Sequence, residues 1–133
     1  MMPLPGGVSV SNAESALIGC CLIDPECVEH VRQIVQPDHF TNDALRAIYR
    51  CILRVADQGL AVDYVTVLDE AEWSGVLERW GKTPDKRSAI VTATINCAPT
   101  SRHATSYAQV IRNHANQRNG EPRMPPARKS FVL

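Results

Sequence analysis

The chain has 133 residues, with 14 Lys+Arg against 14 Asp+Glu and a formal net charge of +0, a length that buries a modest core without metals or disulfides. No apolar run approaches the eighteen or so residues of a membrane span, and the opening MMPLPGGVSVSNAE has neither the basic nor the apolar region of a signal peptide, so a cytoplasmic protein is expected. The charge is uneven: residues 1–111 carry nine bases against thirteen acids and residues 112–133 five against one, so an acidic body, poorly matched to a phosphate backbone, precedes a basic tail.

Residues 1–11, rich in Pro, Gly and Ser, predict a flexible leader. Asn12 then caps a short helix with Ala13, Ala16, Leu17, Cys20 and Cys21 on its inner stripe. Gly19 inside it lowers helix propensity by roughly 1 kcal/mol against alanine, which points to a second helix backbone packed closely there. Asp24-Pro25-Glu26 is a helix start, a carboxylate cap followed by proline where no amide is needed. Val28, Val31, Ile34 and Val35 supply the buried face of that helix, and Pro37 ends it.

The longest helical pattern follows. Phe40 sits as the apolar residue of a staple, Asn42 as N-cap, and Leu45, Ile48, Tyr49, Ile52, Val55 and Ala56 recur at the spacing of one helix face. Gly59 supplies the left-handed closing residue. This stretch is expected to organise the fold. Asp63 caps a fourth helix with Tyr64, Val67, Leu68 and Ala71 on one face, and Gly75 breaks it. Trp73 and Trp80 either roof the small core or anchor a partner protein.

Thr83 and Pro84 open a helix running to about Asn96, with Ala89, Ile90, Ala93 and Cys97 on one side. Beyond Pro99, Ala104, Tyr107, Ala108, Ile111 and Ala115 mark another. The pair reads as an antiparallel helical hairpin whose small apolar residues seek a partner surface. From residue 119 onward Gly and Pro replace any helical period, and a disordered basic tail is expected. The sequence thus predicts an all-α chain, a compact orthogonal bundle of about four helices followed by a hairpin, divided into 1–11 leader, 12–82 body, 83–118 hairpin and 119–133 tail.

Chemistry-bearing patterns are sparse. GVLERWGKT, residues 75–83, imitates a P-loop but has five residues where four must wrap the phosphates, and the segment before it is helical. Glu14, Glu70 and Glu72 read as solvated surface acids. His30, His39, His103 and His114 show no metal spacing, and five cysteines without a CxxC pair read mainly as reduced core residues, with a surface thiol open at Cys20 or Cys21. No catalytic residue, cofactor or metal is expected.

Four segments in order resemble one family. AESALIGCCLID (13–24) resembles the AEQAVLGSLLLD opening of the N-terminal domain of DnaB-type replicative helicases, and HFTNDALRAIY (39–49) is similar to its DFYNEAHRLIF segment. GLAVDYVTV (59–67) resembles its G-x-P-V-D-x-V-T-V turn, and Pro99-Thr100 with YAQVIR (107–112) its late PS…YYAKIVR stretch. The matched structural positions are Gly19, Asp24, Phe40, Asn42, Asp63, Thr66 and Pro99. Ala61 departs from the family's proline, and the segment between Gly81 and Pro99 is about half a dozen residues longer than the pattern.

The resemblance implies the scaffold half of a helicase without its RecA-like motor, hence no ATP hydrolysis and no unwinding by this chain. It further implies a collar module in the primosome that forms a homodimer or higher oligomer and binds primase and helicase subunits. Ile90, Ala93, Ala104, Tyr107, Ala108 and Ile111 are the expected pairing face of the hairpin. The folded body is not expected to bind nucleic acid or membrane. Two alternatives stand beside it: an accessory nucleic-acid-binding protein using the basic tail, and a phage-type modulator of a host helicase.

Overall fold

The structure is a computed structural model, and the residues it describes are 5–98 and 100–120. Among these described residues seven α-helices follow one another: α1 Pro5–Ile23, α2 Val28–Val31, α3 Asp43–Asp57, α4 Tyr64–Ser74, α5 Leu77–Trp80, α6 Pro84–Cys97 and α7 Ala104–Arg118. Two single 3-10 turns, Pro25–Cys27 and Pro37–His39, join the early ones. No strand occurs among the described residues, so the expected all-α class is the observed one.

Local chemistry sets most of the boundaries. Asn42 accepts from the Leu45 amide at 3.0 Å, Asp63 and Thr66 form a reciprocal capping box, and Thr83 accepts from the Lys86 amide with Pro84 behind it. Each satisfies amides that an α-helix leaves unpaired in its first turn. Gly59 at φ 77° and Gly75 at φ 70° close α3 and α4 in the left-handed region where a Cβ is unfavourable.

The largest departure is α1. It begins at Pro5 rather than at an Asn12 cap, so residues 5–11, expected as leader, are helical. It packs against α6 and α7, against α3, and against the Pro25–Cys27 turn. Leu17, Ile18, Cys20 and Cys21 all have no exposure. A helix covered on several sides has no polar face to alternate with its apolar one, which is why Cys20 and Cys21, adjacent on the helix, are both buried. α1 therefore shares the organising role expected of α3.

α3 contributes Leu45, Ile48, Tyr49, Ile52 and Val55 to the core as expected, with Ala47 and Cys51 in addition. Tyr49 stacks on Phe40 with ring centroids 4.9 Å apart and donates its hydroxyl to the Val35 carbonyl at 2.9 Å. The segment expected as one helix from Asp24 to Pro37 is instead a 3-10 turn plus a single turn of α-helix ending at Val31. Pro37 starts a second 3-10 turn rather than merely stopping a helix.

α6 and α7 each hold to α1 far more than to one another. Gly19 marks the closest approach: a Cβ there would clash with the Thr94 carbonyl oxygen and stand 3.0 Å from the Ala98 Cβ. The close backbone contact expected at this glycine is present, and its partner is α6. Cys20 donates its thiol to the Thr100 carbonyl at 3.6 Å, and Ser101 donates to Asp24 at 2.9 Å, fixing the α6–α7 link on the end of α1.

Candidate interaction surfaces

Among the described residues, Glu14 is the one charged side chain that is buried. It is fully buried, and its carboxylate accepts from the Thr41 amide at 2.8 Å, the Thr41 hydroxyl at 2.7 Å and the Asn42 amide at 3.1 Å. This corrects the reading of Glu14 as a solvated surface acid. A carboxylate placed at the N-terminus of α3 meets its unpaired amides and the positive end of its dipole, so the charge is matched where it is buried. The sequence signal was faint: an acid within an otherwise apolar stretch.

The other acids do structural duty or face solvent. Glu70 accepts from Ser74 at 2.7 Å and from Gln58 at 2.9 Å, and those bonds hold its carboxyl below the usual range. Arg54 donates to Ser74 at 2.6 Å, closing a network between α3 and α4. Arg32 pairs with Asp57 at 2.8 Å and lowers that carboxyl too.

Four of the five cysteines are buried and only Cys97 is exposed, so the surface thiol falls on α6 rather than at Cys20 or Cys21. Burial pushes the thiols of Cys20 and Cys51 up to about 11. No group of three or more His, Cys, Asp or Glu among the described residues is placed to hold a metal ion. The string that imitates a P-loop is the left-handed cap of α4, the one turn of α5 and a loop, with Trp80 only 3% exposed. A strand and a wrapped amide loop, which phosphate binding there requires, are missing from residues 75–83.

The expected pairing face is divided. Ala104, Ala108 and Ile111 are buried within this chain, Ile90 and Tyr107 are half-buried against the core, and Ala93 is exposed. The three buried residues pack inside one molecule, so they are withdrawn from any pairing surface. What remains open is a concavity of about 550 Å³ lined by Asn12, Ala13, Ala16, Cys97, Tyr107 and Val110. Ile95, 39% exposed, also lies on α6.

The matched structural positions have clear duties. Gly19, Asp24, Asn42, Asp63 and Thr66 act as described above, and Phe40 is 1% exposed. Pro99 lies outside the described residues, as does the tail from residue 121. Two of the five bases counted toward the tail are committed to the body. Arg112 donates to the Ile34 carbonyl at 2.9 Å and Arg118 to the His39 carbonyl at 2.9 Å.

The sequence singled out both tryptophans without separating them. Trp80 roofs the core, whereas Trp73 is 80% exposed on α4, the helix that also exposes Val65 at 72%. No helix among the described residues is long and apolar enough to cross a membrane.

A buried first helix, capped helices around it and polar groups committed to those caps define an all-helical scaffold domain. Residues 8–113 match the DnaB-like helicase N terminal domain, and the chain belongs to that family. It is 32% identical over 98 residues to the replicative DNA helicase DnaB of Rhodothermus marinus, covering 74% of this chain and 10% of that protein. It is 31% identical over 100 residues to DnaB of Geobacillus stearothermophilus, covering 75% of this chain and 21% of that one. The chain thus spans a small part of the length of these curated relatives.

Among solved structures, the N-terminal domain of DnaB helicase from Mycobacterium tuberculosis superposes with a TM-score of 0.74 at 27% identity, covering 81% of this chain and 74% of that one. The corresponding Helicobacter pylori domain, described with its interactions with primase, gives 0.68 at 14% identity over 90% of this chain and 89% of that one, a likeness of fold.

Proposed function

We propose that this chain is a non-catalytic interaction and oligomerisation module in DNA replication, which self-associates and binds primase or helicase subunits within a primosome. The observation that carries the reading is the family match over residues 8–113, on a body whose polar clusters serve as caps and ties. The Helicobacter domain's interactions with primase support the choice of partner. Self-association uses the open remainder of the α6 and α7 surface, Ala93, Ile95, Cys97 and Tyr107, rather than the buried Ala104, Ala108 and Ile111.

Light scattering across a concentration series, with pull-down of purified primase and helicase, tests the reading. Reversible association and capture of one of these proteins are expected. Ile95→Asp should weaken self-association with an unchanged circular dichroism spectrum. A strict monomer at high concentration that captures neither protein overturns the proposal. Nucleic-acid binding through the basic end of the chain is the weaker alternative, because two of the five bases of residues 112–133, Arg112 and Arg118, are engaged with carbonyls of the body.

A further inference from the structure

α4 turns a face that is both apolar and acidic to solvent. Val65, Asp69 and Trp73 follow one another at four-residue spacing and are all exposed, which aligns them along one side of the helix. An indole this open leaves on the order of 200 Å² of aromatic surface in water. Beside it, Glu72 lines two adjoining concavities. One of about 240 Å³ is shared with Asp69 and Trp73, and one of about 220 Å³ with Tyr64, Leu68, Leu77, Pro84 and Arg87.

An apolar floor therefore continues across the helix, its rim acidic at Asp69 and Glu72 and basic at Arg87 on the far side of the second concavity. The sequence of α4, YVTVLDEAEWS, contains three acids and no Lys or Arg. Glu70 is engaged by Ser74 and Gln58, whereas neither Asp69 nor Glu72 is ion-paired among the described residues.

We propose that this face is a docking site for residues 121–133 of the same chain. Their sequence, EPRMPPARKSFVL, sets Arg123, Arg128 and Lys129 against Glu121 and adds Pro125-Pro126 and Phe131. The basic side chains complement Asp69 and Glu72. The paired proline rings suit an exposed indole, as in aromatic-lined grooves that take proline-rich peptides.

Reach does not limit the contact. A 13-residue segment, residues 121–133, spans about 45 Å when extended, against a radius of gyration of roughly 13 Å for a domain of this size. Tethering also holds the segment at an effective concentration of order millimolar, so a contact too weak between separate molecules is still occupied. The site lies on α4 and includes only Pro84 and Arg87 from the first turn of α6, none of the Ala93, Ile95, Cys97 and Tyr107 surface assigned to self-association, so its failure leaves that reading standing.

Acrylamide quenching of tryptophan fluorescence in the full chain tests the contact. Trp80 is 3% exposed and gives a slow background, and Trp73→Phe isolates the Trp73 signal. In the wild type at low salt, Trp73 should quench at about half the rate or less of a free indole, given an anchored aromatic contact. The triple variant Arg123→Ser, Arg128→Ser, Lys129→Ser should raise the quenching constant about twofold, as should about 0.5 M salt, which screens the ion pairs. Equal quenching of Trp73 in wild type and triple variant overturns the proposal. So does protection that grows with protein concentration, which would move the occupant to a second copy.

Discussion

Glu14 shows how one side chain ties two helices whose sequences give no hint of each other. Its carboxylate serves three donors at Thr41 and Asn42, so Glu14→Ala removes all three bonds at once. Thr41 and Asn42 are exposed, and water recovers part of the loss. The expected destabilisation is about 2–3 kcal/mol, between one lost hydrogen bond and three uncompensated ones. Glu14→Gln should cost less, about 1–2 kcal/mol, since one amide oxygen still accepts. Urea denaturation at neutral pH checks both, and an Ala variant within about 0.5 kcal/mol of wild type would show that the carboxylate is dispensable.

Gly19 is the complementary case, a residue that matters because it is absent of side chain. Its Cβ would lie 2.8 Å from the Thr94 carbonyl carbon, and backbone cannot rotate away as a side chain does. Gly19→Ala should therefore destabilise by about 3 kcal/mol despite its better helix propensity. An unchanged melting temperature would mean that α6 stands further from α1 than a contact at Thr94 requires.

At the scale of elements, the ties of α3 to α4 and to the end of α2 carry a pH dependence. The carboxyl of Glu70 is lowered by bonds from Ser74 and Gln58, and that of Asp57 by Arg32. A carboxyl lowered on folding adds stability above its unfolded pKa and loses it as pH falls through the folded value. Melting temperature should therefore hold from neutral pH to about 5 and fall below it. Glu70→Gln should lie below wild type at neutral pH and converge with it in acid. Parallel curves at all pH values would remove Glu70 from the account.

The elements also show what a sequence exposes and what it hides. Caps at Asn42, Asp63 and Thr83 and left-handed closures at Gly59 and Gly75 are local chemistry, settled within four residues, and they stand where the sequence placed them. The extent of α1 and the burial of Glu14 are not legible locally, because α6 and α7, some eighty residues away, cover the helix and Thr41 and Asn42 at the start of α3 meet the carboxylate. The same distance hid the loss of Ala104, Ala108 and Ile111 to the interior. Their helical stripe was legible, but a stripe does not say whether its cover is another part of the chain or a partner.

Over the whole molecule, the division at residue 82 that the sequence suggested meets an interior that crosses it. Leu17, Ile18 and Val35 share one core with Val91, Ala98, Ala108 and Ile111. A chain cut after Gly81 would uncover α1 along the side where α6 and α7 rest. It should show reduced helicity, no cooperative melt and binding of a hydrophobic dye. A sharp two-state transition for residues 1–81 would instead mean that the body folds alone.

The enclosure of α1 also has a consequence in time. α1 leaves the ribosome well before α7, against which it packs, and contacts of such long sequence separation form late. Until residues near Ala115 have left the exit tunnel, Leu17, Ile18, Cys20 and Cys21 have no lasting cover, and nascent chains in that state are prone to aggregate. Four thiols that are buried in the finished protein are open to oxidants during that interval.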